Sequence, residues 1–160
     1  MDVKIKGEHY KFKFRVSGVF IYNNKILVNK YEEDSYCLPG GYVKVGETSE
    51  EAILRELKEE INLDFNISSF LGITENFFIN IRNQKTHGID FYYNVNLKDN
   101  SDYEKIDYNR IENDKGRKIQ HHFKWIDLSE LEKYNLLPSC IKKEIKENKT
   151  VFHIIVNDTK

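Results

Sequence analysis

This chain of 160 residues has little cysteine, proline, methionine or tryptophan: two, two, one and one. Cys37 and Cys140 are too few and too scattered for a disulfide framework or a zinc site. A chain this long needs neither staple, because a domain of about 150 residues buries roughly 70% of its unfolded surface. An excess of one charge is also missing. Lys+Arg total 25 against Asp+Glu 26, for a net charge of -1. A general binder of phosphate backbones would be strongly basic, so that class is disfavoured. No run approaches the roughly 18 apolar residues of a membrane span. The opening MDVKIKGEHYKFKFR lacks the apolar stretch of a secretory leader. The expectation is one soluble domain over 1–160 in a reducing cytoplasm, with no membrane and no nucleic-acid partner.

What is present is alternation and helical spacing. Lys11, Lys13 and Arg15 alternate with Phe12, Phe14 and Val16, the period of a half-buried strand. That explains the Lys/aromatic start more simply than RNA stacking does. The strand continues through Tyr22, Asn23-Asn24 signals a turn, and residues 25–30 return as a second strand of a hairpin. Leu38-Pro39-Gly40-Gly41 breaks regular structure. A helix follows, with Thr48 and Glu51 as a capping box, Ala52, Ile53, Leu57 and Ile61 as its apolar stripe, and Asn62 as its C-terminal stop. Residues 67–81 and 87–97 read as strands, and 98–118 as a long mobile loop, either a lid or without order. Residues 123–126 read as a short strand, followed by a short helix capped by Asp127 or Ser129. Pro138 opens a last helix, and 151–156 forms a terminal strand that either completes the sheet or pairs across a homodimer. Strands before, between and after helices predict an α/β fold with a mixed β-sheet.

Glutamate is concentrated in one place: Glu47, Glu50, Glu51, Glu56, Glu59 and Glu60. At about 3.6 residues per turn, Glu56, Glu59 and Glu60 project from one face. Like charges at these spacings destabilise a helix by about 0.2–0.5 kcal/mol per pair. A hard divalent cation such as Mg²⁺, which takes oxygen ligands and bridges carboxylates to phosphates, reverses that sign. Arg55 can pair with Glu47 or its neighbours and fix the loop to the helix. Gly40 and Gly41 allow close backbone approach to a ligand. Lys30, at a strand end before the glycines, is a candidate phosphate contact, although a solvated lysine explains it equally well.

Gly41, Glu47 and the run Arg55-Glu56-Leu57-Lys58-Glu59-Glu60-Ile61-Asn62-Leu63 resemble the Nudix box. The family's glycine after the glutamate pair is Asn62 here. Glu75-Asn76-Phe77-Phe78, His87 and the Trp125 strand are similar to a MutT-like branch, with Gly88 where that branch often has Glu. The resemblance implies an α/β/α sandwich and a hydrolase that cleaves a nucleoside diphosphate linked to another moiety. It implies that Glu56, Glu59 and Glu60 bind Mg²⁺ or Mn²⁺, with the Gly40 carbonyl as a further ligand. The catalytic set is then Glu56 and Glu59, with Arg55 in a structural role; Gly40, Gly41, Lys30 and His87 are candidates to bind substrate. The proton acceptor stays open among Glu56, Asp90, Glu104, Asp107 and Glu112. Tyr42, Phe77, Phe78, Tyr92 and Trp125 could stack on a base, though strand aromatics usually pack. His9, His121, His122 and His153 have no motif context and read as structural or exposed. The implied substrate is a small nucleotide, a nucleoside triphosphate or modified form first, ADP-ribose or a nucleotide sugar second. A non-catalytic nucleotide- or RNA-binding module is a third alternative, disfavoured by the retained glutamates.

Overall fold

The computed structural model describes residues 1–80, 82–114, 116–147 and 151–159. In chain order the strands and helices are β1 (Lys4–Lys6), β2 (Tyr10–Tyr22), β3 (Lys25–Glu32), β4 (Ser35–Cys37), β5 (Gly40–Tyr42), α1 (Ser49–Ile61), β6 (Phe65–Ile79), β7 (Lys85–Leu97), β8 (Ile111–Asp114), β9 (Arg117–Gln120), β10 (Phe123–Asp127), β11 (Leu136–Leu137), α2 (Lys142–Glu147) and β12 (Phe152–Asn157). Among the described residues the main sheet runs β11-β4-β3-β2-β7-β6-β12, with β1 and β5 on β2 and β10 on β3. It is mixed. β2 lies parallel to β7 and β6 parallel to β12, whereas β6 and β7 are antiparallel.

Strand alternation creates two cores. Val16, Phe20, Leu27, Tyr93 and Val95 point to one face and pack with Ala52, Ile53, Leu57 and Ile61 of α1. Val19, Ile26, Val28 and Tyr92, each one residue out of phase with that set, point to the other face and pack with Leu131, Ile141 and Ile145. Helical layers on both faces make the expected α/β/α sandwich. At Gly18 an added Cβ would lie 3.3 Å from Leu57 Cδ2 and Val95 Cγ2, so its bare Cα lets α1 settle close to β2.

α1 follows its local signals. The Thr48 side chain accepts from Glu51 N at 3.2 Å while the Glu51 carboxylate accepts from Thr48 N at 2.8 Å. Asn62 ends the helix at φ 66°, ψ 22°, its N–H donating to Lys58 O. The Asn23-Asn24 turn also forms, with both residues at positive φ.

Three expectations need correction. Residues 98–118 are not one loop. They hold a 3₁₀ turn at Asn100–Lys105, capped by Asp99, and the β8–β9 hairpin; Lys115 lies outside the described residues. The residues of β9 are exposed, so no apolar alternation announces that strand. The strand expected at 67–81 ends at Ile79, because Asn80 Oδ1 accepts from Arg82 N and Gln84 N to build a turn; residue 81 lies outside the described set. Pro138 precedes a 3₁₀ turn at Ser139–Ile141, and α2 begins only at Lys142. β12 pairs with β6 within the chain and forms an edge of the main sheet among the described residues. No helix among the described residues is long and apolar enough to cross a membrane.

Candidate active site

β5 delivers Gly40 and Gly41 to the first turns of space in front of α1. Gly40 adopts φ +143°, and a Cβ there would fall 2.2 Å from Val16 O. A Cβ on Gly41 would collide with the Glu56 carboxylate. The glycines therefore let strand and helix side chains share one volume. Gly40 N donates to Glu60 Oε2 at 2.9 Å, which ties the loop to the far end of α1.

Arg55 organises the acids around it. Its Nε donates to Glu47 Oε1 at 2.6 Å and its Nη2 to Glu47 Oε2 at 3.0 Å, a two-pronged grip that points the Glu47 carboxylate. Nη1 donates to Glu56 Oε1 at 2.7 Å and Glu59 Oε2 at 2.8 Å, and Nη2 reaches Tyr42 O at 3.0 Å. The Arg55–Glu47 contacts tie the loop before α1 to the helix. Lys44 Nζ stands 3.4 Å from Glu59 Oε1.

These acids differ in protonation. Burial pushes the Glu60 carboxyl up to about 8, against the pull of the Gly40 N–H, and nearby Glu56 adds to the rise. Burial also raises Glu56, with the Arg55 hydrogen bond opposing. Glu47 is held below the usual carboxylate range chiefly by its hydrogen bond from Arg55.

The residues fit a hard divalent cation by their chemistry. Glu56, Glu59 and Glu60 offer carboxylate oxygens around one cavity of about 300 Å³, together with Gly40, Gly41 and Glu112. Glu60 is buried and Glu56 half-buried, and burial disfavours the charged form of both, an effect that a cation beside them would oppose. No ready-made cage of three His, Cys, Asp or Glu exists among the described residues. Arg55 Nη1 bridges Glu56 and Glu59 and occupies oxygens that a cation would use. Its grip on Glu47 uses other nitrogens, so the loop anchor does not depend on that bridge.

A second cavity, of about 360 Å³, lies beyond β2 and is lined by Lys13, Tyr31, Phe78, Asp90, Tyr92 and Cys140 among others. Arg15 lines both cavities. Burial works against its charge, but Asp90, Tyr42 and Glu60 more than restore it, so its pKa is raised. Its Nε lies 3.7 Å from Asp90 Oδ1, too far for a hydrogen bond, and is buried with no hydrogen-bond partner. A buried donor left unmade is costly, on the order of 1–3 kcal/mol, and marks a place for an acceptor. Arg15 alternates with Val16 on β2 as the strand period requires, and β11 and the segment through Cys140 partly cover its face.

The remaining expected residues scatter. Lys30 is exposed on β3 and lines neither cavity. His87 also lines neither; its ring stacks on Phe77 with centroids 4.2 Å apart. Of the acceptor candidates, Glu56 and Glu112 reach the acidic cavity and Asp90 the second one, whereas Glu104 and Asp107 reach neither. Phe78 and Tyr92 line the second cavity and Tyr42 the acidic one, whereas Trp125 packs at 5.2 Å from Phe20. His121, read as having no context, lines the acidic cavity. No local signal marks it, because its neighbours there come from other strands.

Comparison with known proteins places this geometry. The family model of the NUDIX domain matches residues 12–146. An ADP-ribose pyrophosphatase of Methanocaldococcus jannaschii is 44% identical over 62 residues, covering 36% of this chain and 37% of that protein. An RNA pyrophosphohydrolase of Ruthia magnifica is 40% identical over 60 residues, 36% of this chain and 34% of that protein. The chain thus matches only about a third of either curated relative. In fold, a MutT protein from Bacillus halodurans superposes with a TM-score of 0.61 at 13% identity, over 88% of this chain and 89% of that one.

Proposed function

Because this chain belongs to the NUDIX family, we propose that it is a Mg²⁺- or Mn²⁺-dependent hydrolase that cleaves the pyrophosphate linkage of a nucleoside triphosphate or a modified nucleotide, releasing nucleoside monophosphate and pyrophosphate. The observation that carries this reading is Arg15. Its half-buried guanidinium lines both an acidic cavity and a mixed apolar-polar cavity, and its buried Nε lacks an acceptor. A phosphoryl oxygen supplies that acceptor. The phosphate chain then runs past Arg15 toward Glu56, Glu59 and Glu60, while the nucleoside occupies the cavity with Phe78, Tyr92 and Asp90.

Glu56, Glu59 and Glu60 would hold the metal, together with the Gly40 carbonyl. A divalent metal held by these residues would neutralise phosphate charge and make water a better nucleophile. The chain's own residues do the rest. Arg55 keeps the loop that carries Gly40 and Gly41 fixed to α1 through Glu47. Arg15 orients the phosphate chain. A cavity carboxylate takes the proton from the attacking water as its oxygen bonds to phosphorus, and the bridging P–O bond breaks with its electron pair leaving on pyrophosphate.

ADP-ribose is the second reading, favoured by the stretch shared with the M. jannaschii protein. The same acids would serve it, and only the occupant of the second cavity differs. A hydrolysis panel decides between them. It comprises common and oxidised nucleoside triphosphates, ADP-ribose, nucleotide sugars and a 5′-triphosphorylated RNA, with Mg²⁺ present and Glu59→Gln as control. Preferential cleavage of a triphosphate to monophosphate and pyrophosphate, absent in the control, is the expected result. Preference for ADP-ribose moves the assignment to the second reading. Turnover that survives in the control removes both.

A further inference from the structure

The acidic cavity has a wall that does not come from the glutamate-rich helix. Glu112 on β8 and His121 just after β9 line it opposite α1. His121 Nε2 lies 2.8 Å from Glu112 Oε2, and its Nδ1 lies 2.7 Å from Asn29 Nδ2 on β3. The His121 side chain is only 5% exposed and that of Glu112 14%.

Hydrogen-bond logic assigns every proton in this chain of contacts. The backbone N–H of His122 points at Asn29 Oδ1, 3.0 Å away. A backbone N–H can only donate, so that atom must be the amide oxygen. The other amide atom, facing His121, is therefore the NH₂, which can only donate. His121 Nδ1 must then be the bare, accepting nitrogen. The ring proton sits on Nε2 and is donated to Glu112. Three further backbone bonds hold the frame: Lys30 N to His122 O at 2.9 Å, His121 N to Arg110 O at 2.8 Å and Phe123 N to Tyr108 O at 2.9 Å. The Arg110 guanidinium in turn stands 3.4 Å from Glu59 O, at the end of α1.

We propose that Asn29 and His121 are positioning residues which, through a fixed Nε2–H tautomer, hold Glu112 as the proton acceptor for the attacking water. Glu112 is then the catalytic group. One of its oxygens, Oε2, is held by His121, and the other takes the water proton as the new P–O bond forms and the bridging P–O bond breaks. The purpose of the amide is chemical. A carboxylate at position 29 would attract a proton to Nδ1 and make the ring cationic. The amide keeps it neutral and gives Glu112 a donor without adding positive charge beside the metal-binding acids. Among the carboxylates considered at the outset, only Glu112 combines a place in the acidic cavity with a buried positioning chain.

This assignment rests on the hydrolase reading for its catalytic half but not for its tautomer, and the test separates the two. The first measurement is ¹⁵N NMR of the full-length, histidine-labelled protein. The expected His121 pattern is a protonated Nε2 and a bare Nδ1. Asn29→Asp should protonate both nitrogens. A wild-type ring bearing its proton on Nδ1, or on both nitrogens, overturns the relay whatever the enzyme's activity. The second measurement is steady-state kinetics on whichever substrate the panel identifies. Glu112→Gln should lower kcat by about a hundredfold or more. His121→Ala should lower kcat by roughly a hundredfold with KM little changed. His121→Gln, which restores an N–H donor toward Glu112, should recover most of that loss. Equal losses in His121→Ala and His121→Gln, a change confined to KM, or full turnover in Glu112→Gln overturns the catalytic half. If the wild type cleaves nothing in the panel, the hydrolase reading fails while the tautomer result stands on its own.

Discussion

The two walls of the acidic cavity are built in opposite ways. The wall made by residues 40–62 is local. A capping box, a left-handed stop at Asn62, and Arg55 bound to Glu47, Glu56 and Glu59 all act within a span of about two turns of chain. The wall made by Glu112 and His121 is borrowed. Its hairpin is exposed, and its functional groups are aimed by Asn29, more than eighty residues away in sequence, through contacts of 2.7 and 3.0 Å. A helix can carry several charged groups because its backbone is already satisfied. A short exposed hairpin must be pinned from outside before it can aim anything. Substitutions in the glycines and caps that frame the local wall should therefore cost stability, whereas substitutions on the exposed strands of the borrowed wall should not.

The largest effect expected on the local wall is chemical. Glu59 is 39% exposed in its side chain and anchors no core, so Glu59→Gln should keep the fold and lose turnover by about a thousandfold. Parallel assay and thermal melting check this, and wild-type turnover with intact melting would remove Glu59 from the site. Gly40→Ala comes next. The strained φ and the overlap with Val16 O should destabilise the protein by about 3 kcal/mol or more, read by urea unfolding.

A pH effect follows from Glu60. Its folded pKa of about 8 lies above the ordinary glutamate value of 4.5. Between those values the folded protein holds a proton that the unfolded chain has released, so stability falls as pH rises across that window. Below it the contribution is fully present. In chelator, melting temperature should drop from about pH 5 to about pH 8, and Glu60→Gln should flatten that drop relative to wild type. Equal slopes would mean that Glu60 titrates as an ordinary surface acid. The smallest effects sharpen the contrast directly. Thr48→Ala should cost about 1 kcal/mol by removing the capping box. Ile111→Ala on the exposed hairpin should stay within about 0.5 kcal/mol. A larger loss at Ile111 than at Thr48 would reverse the comparison.

The strand periods around Phe14, Val16 and Val95, and the helix with its caps, were legible because neighbouring residues alone decide them. The cover over Arg15 was not legible, because alternation says which face a side chain takes, not what covers that face. Here β11 and the residues through Cys140 turn a polar face into a cavity. The hairpin at 111–120 escaped notice because exposed strands carry no apolar period. Lys30 was a candidate by its place before the glycines and His87 by the MutT-like resemblance, and neither lines either cavity.

By itself the sequence determined the family, the acid cluster and the capped helix that presents it, since these depend on residues within a few turns of one another. Only the tertiary structure decided that Arg15 joins two cavities, that Glu112 shares a cavity with the acids of α1, and that Asn29 reaches His121. Those facts depend on strand order and register, which bring together groups whose separation along the chain carries no information about their distance in space.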